Sequence, residues 1–424
     1  MQEERVGTID IQIQGTRLNI SHIAVPVKAK ERIEVIDIVR GFALLGIFIV
    51  NMFIFSGSSL AVDMWAGPLD TLTASFVKLF FAGKFYVMFV FLFGLGFAMF
   101  FERAKEKAKR PTLLFYRRLF ILIIIGLVHA FFIWSGDVLI SYALFGSLLP
   151  LFSNRKHKTI IIWAVSIFVV FMLCIAYDDL SRMMAGTYTD MQQLVDNREN
   201  IIEKSLRIYG QGTFTEIIAL RISETLLKYK GIFYLFFITF PLLLLGLYVG
   251  KIAVFQKIEG NIALIKKTWK WGLVIGLVMS IMKPISKNLM ISDPYFFYDL
   301  IRNGTEFLGN TGLSLFFLTS IVLLCRNSKW LMKLKPLAYM GRMPLSNYLF
   351  QSIVCTTIFY NYGLGLYGKV GPALGLVLTT VILTIQISIS KYCLKRYQFG
   401  PLEWIWKSLT YPAMNHLLQK PLRN

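Results

Sequence analysis

Two apolar stretches each begin near an arginine and carry a second polar residue eleven positions later: Arg40 and Asn51 in IDIVRGFALLGIFIVN, Arg118 and His129 in RLFILIIIGLVHAFFIW. Eleven residues of helix rise about 16 Å. Each arginine can therefore sit at one face of a bilayer with its partner well inside it, where polar groups are costly and functional by default. His129 is the only histidine inside an apolar stretch; His22, His157 and His416 fall in tails or connections. A neutral imidazole held in an apolar cavity is a competent general base near neutral pH. Histidine also links packed helices by hydrogen bonds, but the base is the leading reading.

After a turn near Ser135 the chain returns as GDVLISYAL, which brings Ser141 and Tyr142 level with His129 as candidate substrate contacts. Asp137 lies slightly nearer the outer surface. It either orients the imidazole or caps the helix that follows. Asp37 and Arg40 are three apart on one helix face and either pair with each other or frame a cofactor site. In the second case Arg40 and Arg118 face a phosphate-bearing cofactor, and Asn51, level with His129, can hold a carbonyl oxygen or oxyanion. In GRMPLSNYLFQS, Arg342 falls at the membrane edge, while Asn347 and Gln351 share a face. Those amides either join helices or line a polar cavity. Lys283 and Lys287 read as snorkelling side chains.

What must position these groups is a bundle of membrane helices. Of 424 residues, 56% are hydrophobic and only 16% charged, with a mean hydropathy of +0.60, more apolar surface than a soluble domain hides. The expected class is all-α and polytopic, with ten spans near 35–56, 84–101, 115–134, 137–153, 159–177, 231–250, 270–290, 305–325, 343–362 and 370–393. The span at 137–153 is the shortest of them. Trp65, Trp134, Trp271 and Tyr367, at or near span ends, read as headgroup-level anchors.

Orientation follows from lysine and arginine in the short connections. The segments 103–111, 155–158, 251–270 and 326–342 are strongly basic and their alternates are not, which places both termini in the cytoplasm. Residues 1–34 then form a cytoplasmic segment with no signal peptide, 35–396 the transmembrane domain, and 397–424 a cytoplasmic tail whose FGPLEWIWKSLTYPA reads as a short interfacial helix. The external connection 178–230 is long, and long loops cross regardless of charge. Its apolar residues recur at helical spacing, as in amphipathic helices lying over the outer mouth.

Several chemistries are excluded. There is no Walker loop, H-E-x-x-H, G-x-S-x-G or cysteine cluster, so no metal is expected. GLYVG lies in an apolar block, where it means close helix packing. Cys174, Cys325, Cys355 and Cys393 read as small apolar residues. The net charge of +21 resides in connections between spans, so nucleic acid is not a partner.

Five stretches in order, ERIEVIDIVRGFALLGIFIVN, GKFYVMFVFLFGLGFA, LVHAFFIWSGDVLISYALFG, GRMPLSNYLFQS and GPLEWIWKSLTY, resemble the YeiB-like family of bacterial inner-membrane proteins, from about residue 31 to 411. The opening arginine motif is more distantly similar to the transmembrane acyltransferase superfamily. That superfamily includes bacterial O-acyltransferases of cell-surface sugars and the lysosomal heparan-alpha-glucosaminide N-acetyltransferase. The O-acyltransferase branch carries arginine and, eleven residues on, histidine. Here that second position is Asn51, so the histidine role of that branch does not transfer. An asparagine there with a histidine on another span, as Asn51 and His129, resembles the heparan enzyme.

The resemblance implies an acyltransferase of the bacterial inner membrane drawing on cytoplasmic acyl-CoA, acetyl-CoA or longer. Arg40, Arg118 and Arg342 would hold phosphates, His129 would be the base, and Asn51 the oxyanion donor. The acceptor would be a hydroxyl or amine of a surface glycan or lipid-linked sugar, with membrane lipids around the bundle. A transporter or flippase using the same polar residues, a non-catalytic scaffold, and a homodimer all stay open at this stage.

Overall fold

The computed structural model describes residues 11–13, 16–18, 32–57, 65, 67–185, 191–292 and 298–411. His22 and His416, and the side chains of Lys283 and Lys287, lie outside what is described. A short antiparallel pair, Ile11–Ile13 with Thr16–Leu18, precedes an otherwise helical chain.

The helices run α1 (Glu34–Phe55), α2 (Pro68–Phe80), α3 (Lys84–Lys107), α4 (Pro111–Val128), α5 (Leu139–Gly146), α6 (His157–Met184), α7 (Met191–Gln211), α8 (Phe214–Lys230), α9 (Ile232–Lys251), α10 (Ile262–Ser292), α11 (Tyr298–Cys325), α12 (Ser328–Arg342), α13 (Pro344–Phe359), α14 (Pro372–Arg396) and α15 (Pro401–Thr410). Proline opens α2, α4, α13, α14 and α15. It lacks an N–H where the first turn has no partner for one, and its fixed φ suits the helix.

Among the described residues, seven helical segments are long and apolar enough to cross a membrane: Glu34–Phe55, Pro68–Glu106, Pro111–Ile133, His157–Met184, Ile232–Lys251, Asp299–Cys325 and Pro372–Arg396. The protein is a multi-pass membrane protein, helical among its described residues but for the short strand pair. The other three expected spans fare differently. Residues 137–153 divide into the eight-residue α5 and a 3₁₀ turn at Leu149–Phe152, and α5 at about 12 Å is far short of the hydrocarbon. Residues 343–362 contain the 16-residue α13, about 24 Å long. Residues 270–290 fall within α10, whose side chains are described only in part.

Helix packing follows small residues. A Cβ on Gly246 would come within 2.0 Å of the Phe91 carbonyl, and one on Gly250 within 2.4 Å of the Ala98 Cβ. GLYVG thus seats α9 against α3, as its spacing predicts. Gly41 and Gly341 likewise let α1 and α12 touch, since a Cβ on Gly341 would lie 1.8 Å from the Asp37 carbonyl. This contact sets Asp37, Arg40 and Arg342 at one end of the bundle.

The expected anchors divide. Trp271 is exposed, but Trp134 and Tyr367 are buried. Trp134 packs on Phe55 with ring centroids 4.3 Å apart and presents an edge to His129 at 6.2 Å. It walls the interior instead of marking a headgroup level, because the chain reverses immediately after it. The four cysteines are unpaired thiols.

Candidate functional site

α4 does not simply end. Residues His129–Ile133 form a π-turn, with the Trp134 N–H donating to the His129 carbonyl at 2.7 Å. Such turns leave carbonyls without their usual partners and recur at functional sites. Here α8, from the long connection at 178–230, supplies donors. Thr225 donates to the Ala130 carbonyl at 3.3 Å, fully buried Arg221 to the Phe132 carbonyl, and Lys228 to the Asp137 carbonyl. Glu224 accepts from Ser135 at 2.6 Å and from Tyr209 of α7 at 2.7 Å. Residues 178–230 do contain two helices, α7 and α8, and α8 locks the turn that carries His129.

The imidazole is wholly buried. Its Nδ1 lies 2.9 Å from Asp137 Oδ1, and its Nε2 lies 2.9 Å from Ser352 Oγ on α13. Asp137 Oδ2 accepts the Ile140 N–H at 2.9 Å. Asp137 therefore both caps α5 and orients His129. With both carboxylate oxygens accepting, the imidazole proton belongs on Nδ1, which leaves Nε2 bare and facing the Ser352 hydroxyl.

A cavity of about 340 Å³ opens at the other end of the bundle and runs toward this group. Its mouth carries Arg32, Arg40, Arg103, Arg118, Arg342 and Lys407, and its shaft is apolar, with Phe89, Phe93, Phe97, Leu119 and Leu122. Its far wall includes Val138, Leu139, Tyr142 and Tyr348. The Tyr142 hydroxyl is buried there without a hydrogen-bond partner. The Tyr348 ring stands 5.0 Å from the imidazole. His129 and Asp137 are thus one ring behind the cavity wall and not on its surface.

The mouth is built from several elements. Arg32 and Arg40 approach Asp37 at 3.6 and 3.5 Å. Arg118 lies over the rings of Trp406 and Phe100, with centroids at 4.1 and 5.2 Å, a stacking that fixes the guanidinium plane. Trp406 also donates to the Arg118 carbonyl at 2.9 Å. The tail helix α15 is thus more than interfacial, since its Glu403, Trp406 and Lys407 line the cavity.

Four sequence candidates lie elsewhere. Asn51 is buried and absent from the cavity wall, and no hydrogen bond joins it to His129. Asn347 donates to the Met340 carbonyl at 3.2 Å and to Ser390 at 3.1 Å, while Gln351 donates to Gln386 at 3.0 Å. These amides seal α13 to α14, the helix-joining alternative. Ser141 is buried in α5, away from the cavity wall.

The family model described as "Protein of unknown function (DUF418)" matches residues 249–413. Over 419 residues, 93% of this chain and 98% of the relative, the sequence is 33% identical to the uncharacterized protein YxaH of Bacillus subtilis. The chain belongs to this family. The uncharacterized protein YeiB of Escherichia coli belongs with it, at 24% identity over 93% of this chain and the whole relative, as the YeiB-like motifs anticipate. A 39.9 kDa protein encoded beside an amylase in Bacillus acidopullulyticus is 28% identical over 93% of this chain. Within the DUF418 segment fall Arg342, Tyr348, Ser352, Glu403 and Lys407; His129, Arg40 and Arg118 precede it.

Sequence reasoning passed over Ser352, Tyr348, Glu403, Trp406, Lys407, Arg32 and Arg103. Ser352 closes GRMPLSNYLFQS, one turn after Tyr348, but a hydroxyl among amides gives no spacing signal. Glu403 accepts from the Leu345 and Ser346 N–H groups at 2.7 and 3.0 Å and from the Ser346 hydroxyl. It is the capping carboxylate of α13, supplied from α15. Burial pushes its carboxyl upward and the bonds from Ser346 and Leu345 pull it back. Glu403→Ala strands these donors and is expected to cost about 2–4 kcal/mol, read as a lower unfolding temperature in detergent. Glu403→Gln, which keeps an acceptor, should recover part of that loss.

Proposed function

We propose that this protein is an integral-membrane acyltransferase of the bacterial inner membrane, with both termini and the cavity mouth in the cytoplasm. The donor is an acyl-CoA. Its phosphates rest among Arg40, Arg118, Arg342 and Lys407, and its thin arm and acyl group fill the aromatic shaft. His129, oriented by Asp137, takes the proton of the attacking hydroxyl or amine. The Tyr142 hydroxyl, and not Asn51, meets the carbonyl oxygen as it gains charge. The acceptor is a surface glycan or lipid-linked sugar.

One observation carries this reading: a single cavity joins a ring of cations to an unpartnered hydroxyl, one ring away from a buried carboxylate–imidazole pair. A charged head on a long apolar arm has that distribution of chemistry. The decisive experiment measures acyl-CoA binding and transfer by the purified full chain beside Arg118→Ala and His129→Ala. Binding lost with Arg118 and turnover lost with His129 support the proposal. Proton-driven substrate movement in vesicles, with no acyl-CoA binding, would instead make the protein a transporter.

Lys407 adds a pH signature. Burial, with Arg32 and Arg118 close by, pushes its ammonium well below the usual lysine range. A bound phosphate restores the charged form. Binding therefore takes up a proton in the window between the lowered and the restored value, and affinity falls as pH rises through it. Calorimetric titration of CoA at a series of pH values above about 7, where phosphate groups are already ionised, in two buffers of different ionisation enthalpy, should show this uptake within that window. Equal uptake by Lys407→Gln would remove Lys407 from the account.

A further inference from the structure

We propose that Ser352 is the nucleophile of a two-step transfer, so that the acyl group rests on the protein between donor and acceptor. This rests on the acyl-CoA reading for the identity of the donor, but the nucleophile itself is argued from geometry alone.

Asp137, His129 and Ser352 form a linear relay: Asp137 Oδ1 at 2.9 Å from Nδ1, and Ser352 Oγ at 2.9 Å from Nε2. All three side chains are buried, with Ser352 1% exposed. That is the arrangement by which an imidazole activates a serine hydroxyl, recognised by roles and distances and not by sequence order. A serine in an apolar helix ordinarily satisfies itself on the carbonyl four residues back. Ser352 does reach the Tyr348 carbonyl, but at 3.3 Å, longer than its bond to Nε2. Since Asp137 keeps the imidazole proton on Nδ1, Nε2 can only accept, and the Ser352 proton is the one it accepts.

Position supports the role. Ser352 lies one helical turn beyond Tyr348, which forms part of the far cavity wall beside Tyr142. A thioester carbonyl brought to the end of the shaft meets Tyr142 on its oxygen side and reaches Ser352 once the Tyr348 ring turns aside. That ring is held at its tip by a 3.4 Å contact with the Gly136 carbonyl, a weak restraint, and by the Val138 N–H.

The chemistry balances without any further reagent. Ser352 Oγ bonds to the thioester carbon as its proton moves to His129 Nε2; the carbon–sulfur bond breaks, and the CoA thiolate leaves with that proton as the thiol. An acceptor hydroxyl then loses its proton to Nε2 and attacks the serine ester. Ser352 leaves, recovers the proton, and the acyl group is on the acceptor. The two substrates need never occupy the bundle together, which suits a donor and an acceptor on opposite sides of a membrane.

The test uses the full chain in detergent, with acetyl-CoA and palmitoyl-CoA as donors and a fluorophosphonate as a donor-independent probe of activated serine. The expected result is an acyl adduct on the Ser352 peptide, absent from Ser352→Ala and His129→Ala, and turnover lowered by about 10³-fold or more in Ser352→Ala with CoA affinity unchanged. Ser352→Cys should form a hydroxylamine-labile thioester instead. If Ser352→Ala keeps its fold, its CoA affinity and more than a tenth of its turnover, the nucleophile is overturned, and direct transfer with His129 as base stands. If no acyl-CoA binds to any form but the fluorophosphonate labels Ser352 in a His129-dependent way, the nucleophile stands and the donor reading falls. A wild-type protein labelled by neither reagent overturns the relay.

Discussion

His129→Ala is expected to lower acyl transfer by about 10²- to 10⁴-fold, the usual range for losing a general base, while acyl-CoA binding stays near wild type. The separation of the two effects follows from position. The imidazole is not on the cavity wall and touches no group at the mouth; it meets Asp137 and Ser352. Removing it takes the proton acceptor and leaves the phosphate site intact. Because it also ties the α4 turn to α13, some stability is lost as well, so the comparison needs His129→Gln, which fills much of the space and keeps a hydrogen-bonding group. Asp137→Asn should fall between wild type and His129→Ala. It holds the ring but no longer favours the charged imidazolium that forms as the proton arrives. Transfer measured with radiolabelled acyl-CoA, alongside equilibrium binding of CoA, checks both halves. A His129→Ala protein that turns over at the wild-type rate would end the acid–base account.

The second large effect belongs to Arg118. Stacked between Trp406 and Phe100, and bonded to the Tyr411 hydroxyl, its guanidinium is held in place before any ligand arrives. Little conformational freedom remains to be lost on binding. A charge-assisted hydrogen bond to phosphate contributes about 1.5–3 kcal/mol, so Arg118→Ala should raise the Kd for CoA by roughly 10- to 150-fold. Arg118→Lys should rescue little, because an ammonium offers neither the fork nor the flat face that the two rings clasp. Arg40→Ala should cost less, since Arg40 already shares Asp37 with Arg32. Affinity should also weaken with salt, as expected where several cations meet phosphate at a solvent-facing mouth. Titration calorimetry of the three variants with CoA is the measurement. Unchanged affinity in Arg118→Ala would move the ligand site elsewhere.

Apolar blocks of about twenty residues, basic connections and an eleven-residue offset between arginine and histidine are local properties, and the sequence alone determined from them that this is a helical, multi-pass membrane protein. The same locality let Arg40, Arg118 and Arg342 be found, and let Asp137 be placed beside His129, since only eight residues and one turn separate them. The family was legible for a similar reason: five stretches in fixed order survive without alignment.

What needed the tertiary structure was every relation between distant segments. Ser352 lies 223 positions from His129, and no period or spacing connects them. Lys407 and Trp406 reach the mouth only because α15 folds back onto α4, and Asn347 and Gln351 prove to join helices because α14 supplies their partners. The rise per residue sets Asn51 level with His129, but Asn51 does not line the cavity. Depth is fixed by the rise per residue, which a sequence carries; facing is fixed by which helices pack against which, a choice made by close contacts such as Gly41 with Gly341 that only the assembled bundle reveals.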